Sequence, residues 1–222
     1  VSNAAAVQKT DYDGLGRPVK QVQTLDGVDY TVERRYDAGG RLRGITYPDG
    51  DAVGTTVSPL GYDGAGRLTS IPGIVTEVLY DAAGRPTRQT NAAPNNTITE
   101  RGYSARGFLT GIRTAGPALI QDLTYQPDAA GLLRQVTSSV PIPPEVRNES
   151  WAYEYDDLHR LTNATNLDNP PDGQSWTLDA IGRITYNSRV GSYAYDAPRP
   201  HAPSAVAGNP YSYDLNGNLT SG

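Results

Sequence analysis

Tyr62-Asp63-Gly64-Ala65-Gly66-Arg67-Leu68 is the stretch that decides the fold. Tyr suits the end of a strand, on a pleated and half-buried surface. Asp63 follows, a short carboxylate able to accept a backbone N–H two residues on and so close a turn. Gly66 stands three residues after Asp63, where a type I turn followed by a bulge needs φ > 0. Arg67 then opens the return strand, with its guanidinium close to the Asp63 carboxylate across the turn. The stretch spells the tip of a β-hairpin.

The same spelling returns in both directions along the chain. Tyr12-Asp13-Gly14-Leu15-Gly16-Arg17 and Tyr36-Asp37-Ala38-Gly39-Gly40-Arg41 precede it, and Tyr80-Asp81-Ala82-Ala83-Gly84-Arg85 follows. Tyr155-Asp156-Asp157-Leu158-His159-Arg160 keeps all but the Gly. His159 takes that place, and His is among the few non-Gly residues enriched at φ > 0. Leu178-Asp179-Ala180-Ile181-Gly182-Arg183 replaces the Tyr, and Tyr213-Asp214-Leu215-Asn216-Gly217-Asn218 replaces the Arg. Degenerate copies start at Tyr103, Tyr125 and Tyr195. The spacing averages about 22 residues, within the range that marks a repeat array.

A second series of turn signals lies between these tips. It includes Leu25-Asp26-Gly27, Tyr47-Pro48-Asp49-Gly50, Pro72-Gly73, Pro94-Asn95-Asn96, Gly116-Pro117, Pro141 to Pro144, Asp168 to Gly173, Val190-Gly191 and Gly208-Asn209-Pro210. Two alternating sets of turns divide the chain into about twenty strands of ordinary length. Tyr30, Val32 and Tyr36 fall on one face of the segment 30–36, as strand alternation requires. The expectation is an all-β fold: one continuous antiparallel meander of hairpins over residues 1–222, a single array with no linker. Open sheets rarely exceed about ten strands, so this ribbon has to coil, close or be braced by neighbours.

Composition narrows the function. The chain has 24 Gly and 17 Pro, too many interruptions for a helical protein. It has 15 Tyr, one Phe and no Met, with 37% hydrophobic residues overall, so any core is thin. A net charge of −5 does not suggest a nucleic-acid partner. No apolar run approaches the roughly 20 residues of a membrane helix. The absence of Cys excludes disulfides, thiolate metal sites and Cys nucleophiles. Val1 to Val7 lacks the basic start and apolar stretch of a signal peptide. With no Met at all, the chain reads as a segment of something longer.

The Tyr-Asp-x-x-Gly-Arg-Leu repeat resembles that of the YD-repeat, or Rhs-repeat, family, and the match runs along essentially the whole chain. The stretch from Tyr195 to Thr220 resembles a late part of bacterial Rhs regions. The resemblance implies a long β-ribbon that spirals into a hollow shell. In bacterial toxins of the family the shell encloses a toxic polypeptide; in teneurins a related shell serves adhesion. It also implies a secreted, extracellular or cell-surface bacterial protein. Members that release a toxin carry a self-cleaving Asp-Pro-x-Gly motif. That motif is missing here, since Asp168-Asn169-Pro170-Pro171-Asp172-Gly173 is only a turn. No catalytic residue is therefore carried over.

The recurring Asp and Arg pairs invite an acid–base reading, which needs two groups of divergent pKa in one pocket. Repetition along the whole ribbon argues instead for a structural device. Asp214-Leu215-Asn216-Gly217-Asn218 resembles part of a calcium loop, but the distal bidentate Glu is absent and the Gly misplaced. His159 and His201, the two histidines, lie in repeat-related turns with nothing to fix a triad. Asn-x-Ser/Thr occurs at Asn95, Asn148, Asn163 and Asn218 as chance matches in an Asn- and Thr-rich chain. The Tyr set admits two roles: packing across strands, or stacking on a glycan. The expectation is no enzyme activity, no cofactor and no metal. Neighbouring YD repeats of a longer chain, or further copies joined head-to-tail as a filament or adhesin, are the expected partners. An enclosed toxin polypeptide and a glycan are the others. Residues 3–7 and 219–222 carry no charge, so the first and last strands present uncapped edges.

Overall fold

The computed structural model describes residues 6–140, 149–196 and 199–222. Strand follows strand through these residues, with one short 3-10 turn at Pro170–Asp172. Four sheets contain the strands: one of five, one of thirteen and two of two strands. In each, the order of strands in space is their order in sequence, and the pairings are antiparallel hairpins, such as Pro18–Leu25 against Val28–Tyr36. The all-β expectation holds.

The pairing is less continuous than the sequence suggested. It is interrupted after Ala52–Val53, where a loop leads to Gly61–Tyr62, and again between Asn209–Pro210 and Ser212–Tyr213. Between Leu68–Ser70 and Val75–Tyr80 a single bridge, Ile71 to Val75, takes the place of a ladder. Pro72 lacks the N–H a ladder needs, and the chain turns on Ile71 N donating to Val75 O at 2.8 Å. The expected turn at Pro141 to Pro144 lies outside the described residues.

By compactness the chain divides into two units. One comprises residues 1–101 with 113–120, the other residues 102–112 with 121–222. The first holds the five-stranded sheet, from Val7–Tyr12 to Ala52–Val53, and the first four repeat tips. The second holds the tips led by Ser104, Asp128, Asp156, Asp179 and Asp214.

Very little is deeply buried in either unit. Among the described residues the buried apolar side chains are Val75, Ala164 and Val206; Ser138, Ser150, Asn166 and Asn187 are the buried polar ones. Strands pack chiefly against their sequence neighbours. Such a fold gains little from a conventional core, so lateral strand pairing and polar contacts must carry much of its stability.

Beyond the bulge expected at the left-handed Gly, the repeat tips carry an extra residue on the return strand that the sequence reading did not place. Tyr80 pairs with Pro86 and Leu79 with Arg88, which leaves Thr87 as the extra residue. Thr162 and Thr185 are extra in the same way, as are Thr69 and Thr220. The hydroxyl of Thr87 donates to Leu79 O at 3.3 Å, that of Thr162 to Glu154 O at 3.2 Å and that of Thr185 to Thr177 O at 3.1 Å. Thr thus satisfies a carbonyl at the point where the bulge disturbs the ladder.

Candidate functional site

The repeat tip is the unit from which any function of this chain is built. In Asp63-Gly64-Ala65-Gly66-Arg67 the main chain closes on itself, with Asp63 N donating to Arg67 O at 2.9 Å and Gly66 N to Asp63 O at 3.0 Å. Oδ1 of Asp63 accepts the N–H groups of Ala65 and Arg67, both at 2.9 Å. Oδ2 accepts Nε of Arg67 at 2.7 Å. One carboxylate therefore satisfies two backbone donors and a guanidinium. The same bonds recur at Asp13 with Arg17, Asp81 with Arg85, Asp156 with Arg160 and Asp179 with Arg183. Asp37 binds Arg41 through N–H and Nε alike.

The left-handed position follows suit. Gly16, Gly40, Gly66, Gly84, Gly107, Gly182 and Gly217 have φ between 76° and 88°, and His159 takes 62° in their place. At Asp214 the side chain of Asn218 donates to Oδ2 at 2.9 Å, standing in for the Arg. Ser104 replaces the Asp after Tyr103, its Oγ accepting Phe108 N–H at 3.1 Å.

One degenerate copy differs from the reading above. The copy placed at Tyr125 turns two residues later: Pro127 holds the Tyr position, Asp128 N donates to Leu132 O at 2.8 Å, and Gly131 has φ 89°. Leu132 occupies the Arg position, and Arg134, from the bulge, reaches back to Asp128 at 2.7 Å. Sequence reasoning missed both residues because it anchored on the Tyr; the Asp-x-x-Gly run at Asp128 was the available signal. In the copy at Tyr195, Ala197 and Pro198 lie outside the described residues.

Within each unit, neighbouring tips are also fastened together. The guanidinium of Arg17 lies over the ring of Tyr36 at 4.7 Å, that of Arg41 over Tyr62 at 5.2 Å and that of Arg67 over Tyr80 at 4.6 Å. Arg134 over Tyr155 and Arg183 over Tyr195 repeat the contact at 5.2 and 4.6 Å. The phenol of the covered Tyr then donates to a main-chain carbonyl just past the preceding tip. Tyr36 bonds Pro18 O at 3.0 Å, Tyr62 bonds Leu42 O at 2.7 Å and Tyr80 bonds Leu68 O at 2.7 Å. Tyr155, Tyr195 and Tyr213 bond Leu133 O, Ile184 O and Pro203 O. Arg17, Arg67 and Arg160 add a bond from Nη1 to the main-chain O of Asp37, Asp81 and Asp179. Tyr12, at the first tip, is 62% exposed.

These contacts set the titration of the tips. The side-chain bond from Arg17 holds the Asp13 carboxyl below the usual carboxylate range. At Asp37, Asp63 and Asp156 the first cause is the backbone N–H of the following Arg. At Asp214 it is the side chain of Asn218. Burial pushes the Tyr62 and Tyr195 phenols up.

A second kind of turn device, unforeseen in the sequence, sits between the tips. Asn166 is wholly buried, its Oδ1 accepting the N–H groups of Asp168 and Asn169 at 2.9 and 2.8 Å. Asn187 does the same for Arg189 and Val190 at 2.8 and 3.1 Å. The two histidines, His159 and His201, lie in separate exposed turns. Among the described residues no cluster of His, Asp and Glu is placed to hold a metal ion, and no helix is long and apolar enough to cross a membrane.

Residues 36–71 and 62–95 match the family model described as RHS Repeat. Residues 36–95 are thus similar to RHS repeats. Likeness of fold to solved structures runs well past that segment. The chain superposes on the crystal structure of TcdB2-TccC3-Cdc42 with a TM-score of 0.73 at 19% identity, over 97% of its length. The Photorhabdus luminescens Tc holotoxin pore gives the same figures. TcdB2-TccC3 without its hypervariable C-terminal region gives a TM-score of 0.74 at 19% identity. The chain spans 14% of the length of each of those chains. At this identity the likeness is one of fold. No curated protein sequence gives a match.

Proposed function

We propose that the chain is a non-catalytic structural segment of a longer RHS-repeat polypeptide, one that walls off an enclosed effector. The observation that carries this reading is the tip-to-tip fastening. Asp, Arg and Tyr, the chemistry-bearing residues of the repeat, spend their polar groups on one another and on the neighbouring hairpin. The direction of the carboxylate shifts supports it: a group held below its ordinary range is poorly matched to proton transfer near neutral pH. The guanidiniums lying over the Tyr rings count against a glycan stacking there.

The chain acts, on this reading, as a run of some ten hairpins within one array spanning residues 1–222. Its partners are adjoining RHS repeats and the enclosed polypeptide, in a protein exported to the outside of a bacterium. Limited proteolysis of the native full-length polypeptide tests it. The effector portion is expected to resist a protease that degrades it freely once the repeats are unfolded. Equal cleavage before and after unfolding would count against enclosure.

A further inference from the structure

Arg43 breaks the pattern of its repeat. It is the extra residue of the bulge, since Arg35 pairs with Gly44 and Tyr36 with Leu42. At that place other repeats carry Thr69, Thr87, Thr162, Thr185 and Thr220. Val19 and Arg134 also depart from Thr there, but Val19 is uncharged. Arg134 binds Asp128, because Leu132 stands where the usual Arg partner would be. Arg43 finds no carboxylate waiting, since Asp37 is already bound by Arg41 at 2.7 Å.

What lies beside Arg43 is a second cation held in place. Arg35 donates from Nη2 to Gly54 O at 2.9 Å and from Nη1 to Thr46 Oγ1 at 3.4 Å, while its Nε is buried with no partner. The loop after Val53 is pressed against the strand to make this arrangement. A Cβ on Gly44 would meet Gly54 O at 2.1 Å, Gly54 has φ 71°, and Leu60 N donates to Arg43 O at 3.1 Å. Among the described residues no ion pair neutralises either Arg35 or Arg43.

The two arginines line one cavity of about 240 Å³ with Tyr36, Thr55 and Thr56. Thr55 Oγ1 accepts the Ser58 N–H at 2.9 Å, which leaves its hydroxyl hydrogen free to donate. Two unneutralised guanidiniums and two Thr hydroxyls make a donor-rich lining, and a partly buried cation without a counter-charge is costly. We propose that this cavity is a binding site for a tetrahedral oxyanion of the phosphate class, with Arg43 as the ligand-engaging fork and Arg35 as the fixed charge behind it. A planar guanidinium fork matches such an anion in geometry as well as charge.

Inorganic phosphate is the probe, titrated into the 222-residue chain and followed by amide chemical shifts. Saturable shifts confined to Gly54, Thr55, Thr56 and their neighbours are expected. Arg43→Thr, which installs the residue other repeats carry at this bulge, is expected to fold and to weaken binding at least about tenfold, or 1.4 kcal/mol. Arg113→Ala, which removes an exposed Arg outside the cavity, is expected to leave binding unchanged. Phosphate should also raise the melting temperature of the unmodified chain and not that of Arg43→Thr. No saturable shift, or equal binding by Arg43→Thr, would overturn the site. Equal weakening by Arg113→Ala would reduce it to general charge attraction and overturn it as well.

Discussion

Gly84 has φ 82°, and a Cβ built on it would find its nearest neighbour, Nη1 of Arg67, at 3.7 Å. Space is therefore not what selects Gly here; backbone conformation is. Gly84→Val should destabilise by about 1–2 kcal/mol or more, because a β-branched residue resists the left-handed region. A melting temperature equal to that of the unmodified chain would contradict this account of the tip. The tip carboxylates give a second test at the same scale. The bonds from Arg17 and from the Arg41 and Arg67 backbones hold Asp13, Asp37 and Asp63 below their ordinary 3.8. A carboxylate whose folded pKa is depressed contributes stability above the unfolded value and loses it as pH falls through the folded value. The denaturant midpoint should stay level from pH 7 to about 5 and fall below about 4. A midpoint that stays level to about pH 2 would contradict it. Asp-x-x-Gly-Arg spacing made the turn legible, because the turn needs a carboxylate and a left-handed residue at fixed offsets. It did not reveal where the far side of each guanidinium goes, since that depends on a Tyr about 20 residues away in the chain.

Hairpins were legible as elements, with a bulge at the tip Gly, but the extra residue on the return strand was not. A bulge shifts the pairing by one residue, and Thr is an ordinary strand residue, so nothing at Thr87, Thr162 or Thr185 signals one. The anchoring of a copy on Tyr125 failed for a related reason: Tyr also occurs within strands, here in Leu119–Pro127, and the turn follows Asp128. The bulge Thr offers a test. Thr162→Val keeps the branched shape but removes the donor to Glu154 O, and Thr185→Val removes that to Thr177 O. Each should cost up to about 1 kcal/mol in chemical denaturation, with the Ser variants recovering part of it. Val variants as stable as the parent would show that the hydroxyl is incidental.

At the scale of the molecule, a β-protein with so few buried apolar side chains needs another source of order. Hairpin-to-hairpin fastening supplies one, repeated along the chain by Arg over Tyr and by Tyr hydroxyl to carbonyl. The sequence declared the repeat and its β character through periodicity alone. It withheld the breaks in pairing at the 54–60 loop and at Pro72, because those depend on close backbone approach and on one missing N–H. The central claim is that neighbouring tips are energetically coupled through Arg and Tyr, and a double-mutant cycle on Arg67 and Tyr80 measures that coupling. Arg67→Met, Tyr80→Leu and the double variant should give an interaction energy of about 0.5–2 kcal/mol, the range for a cation over an aromatic ring. Additive effects within about 0.3 kcal/mol would mean that the tips stand side by side without holding one another, and would contradict the account.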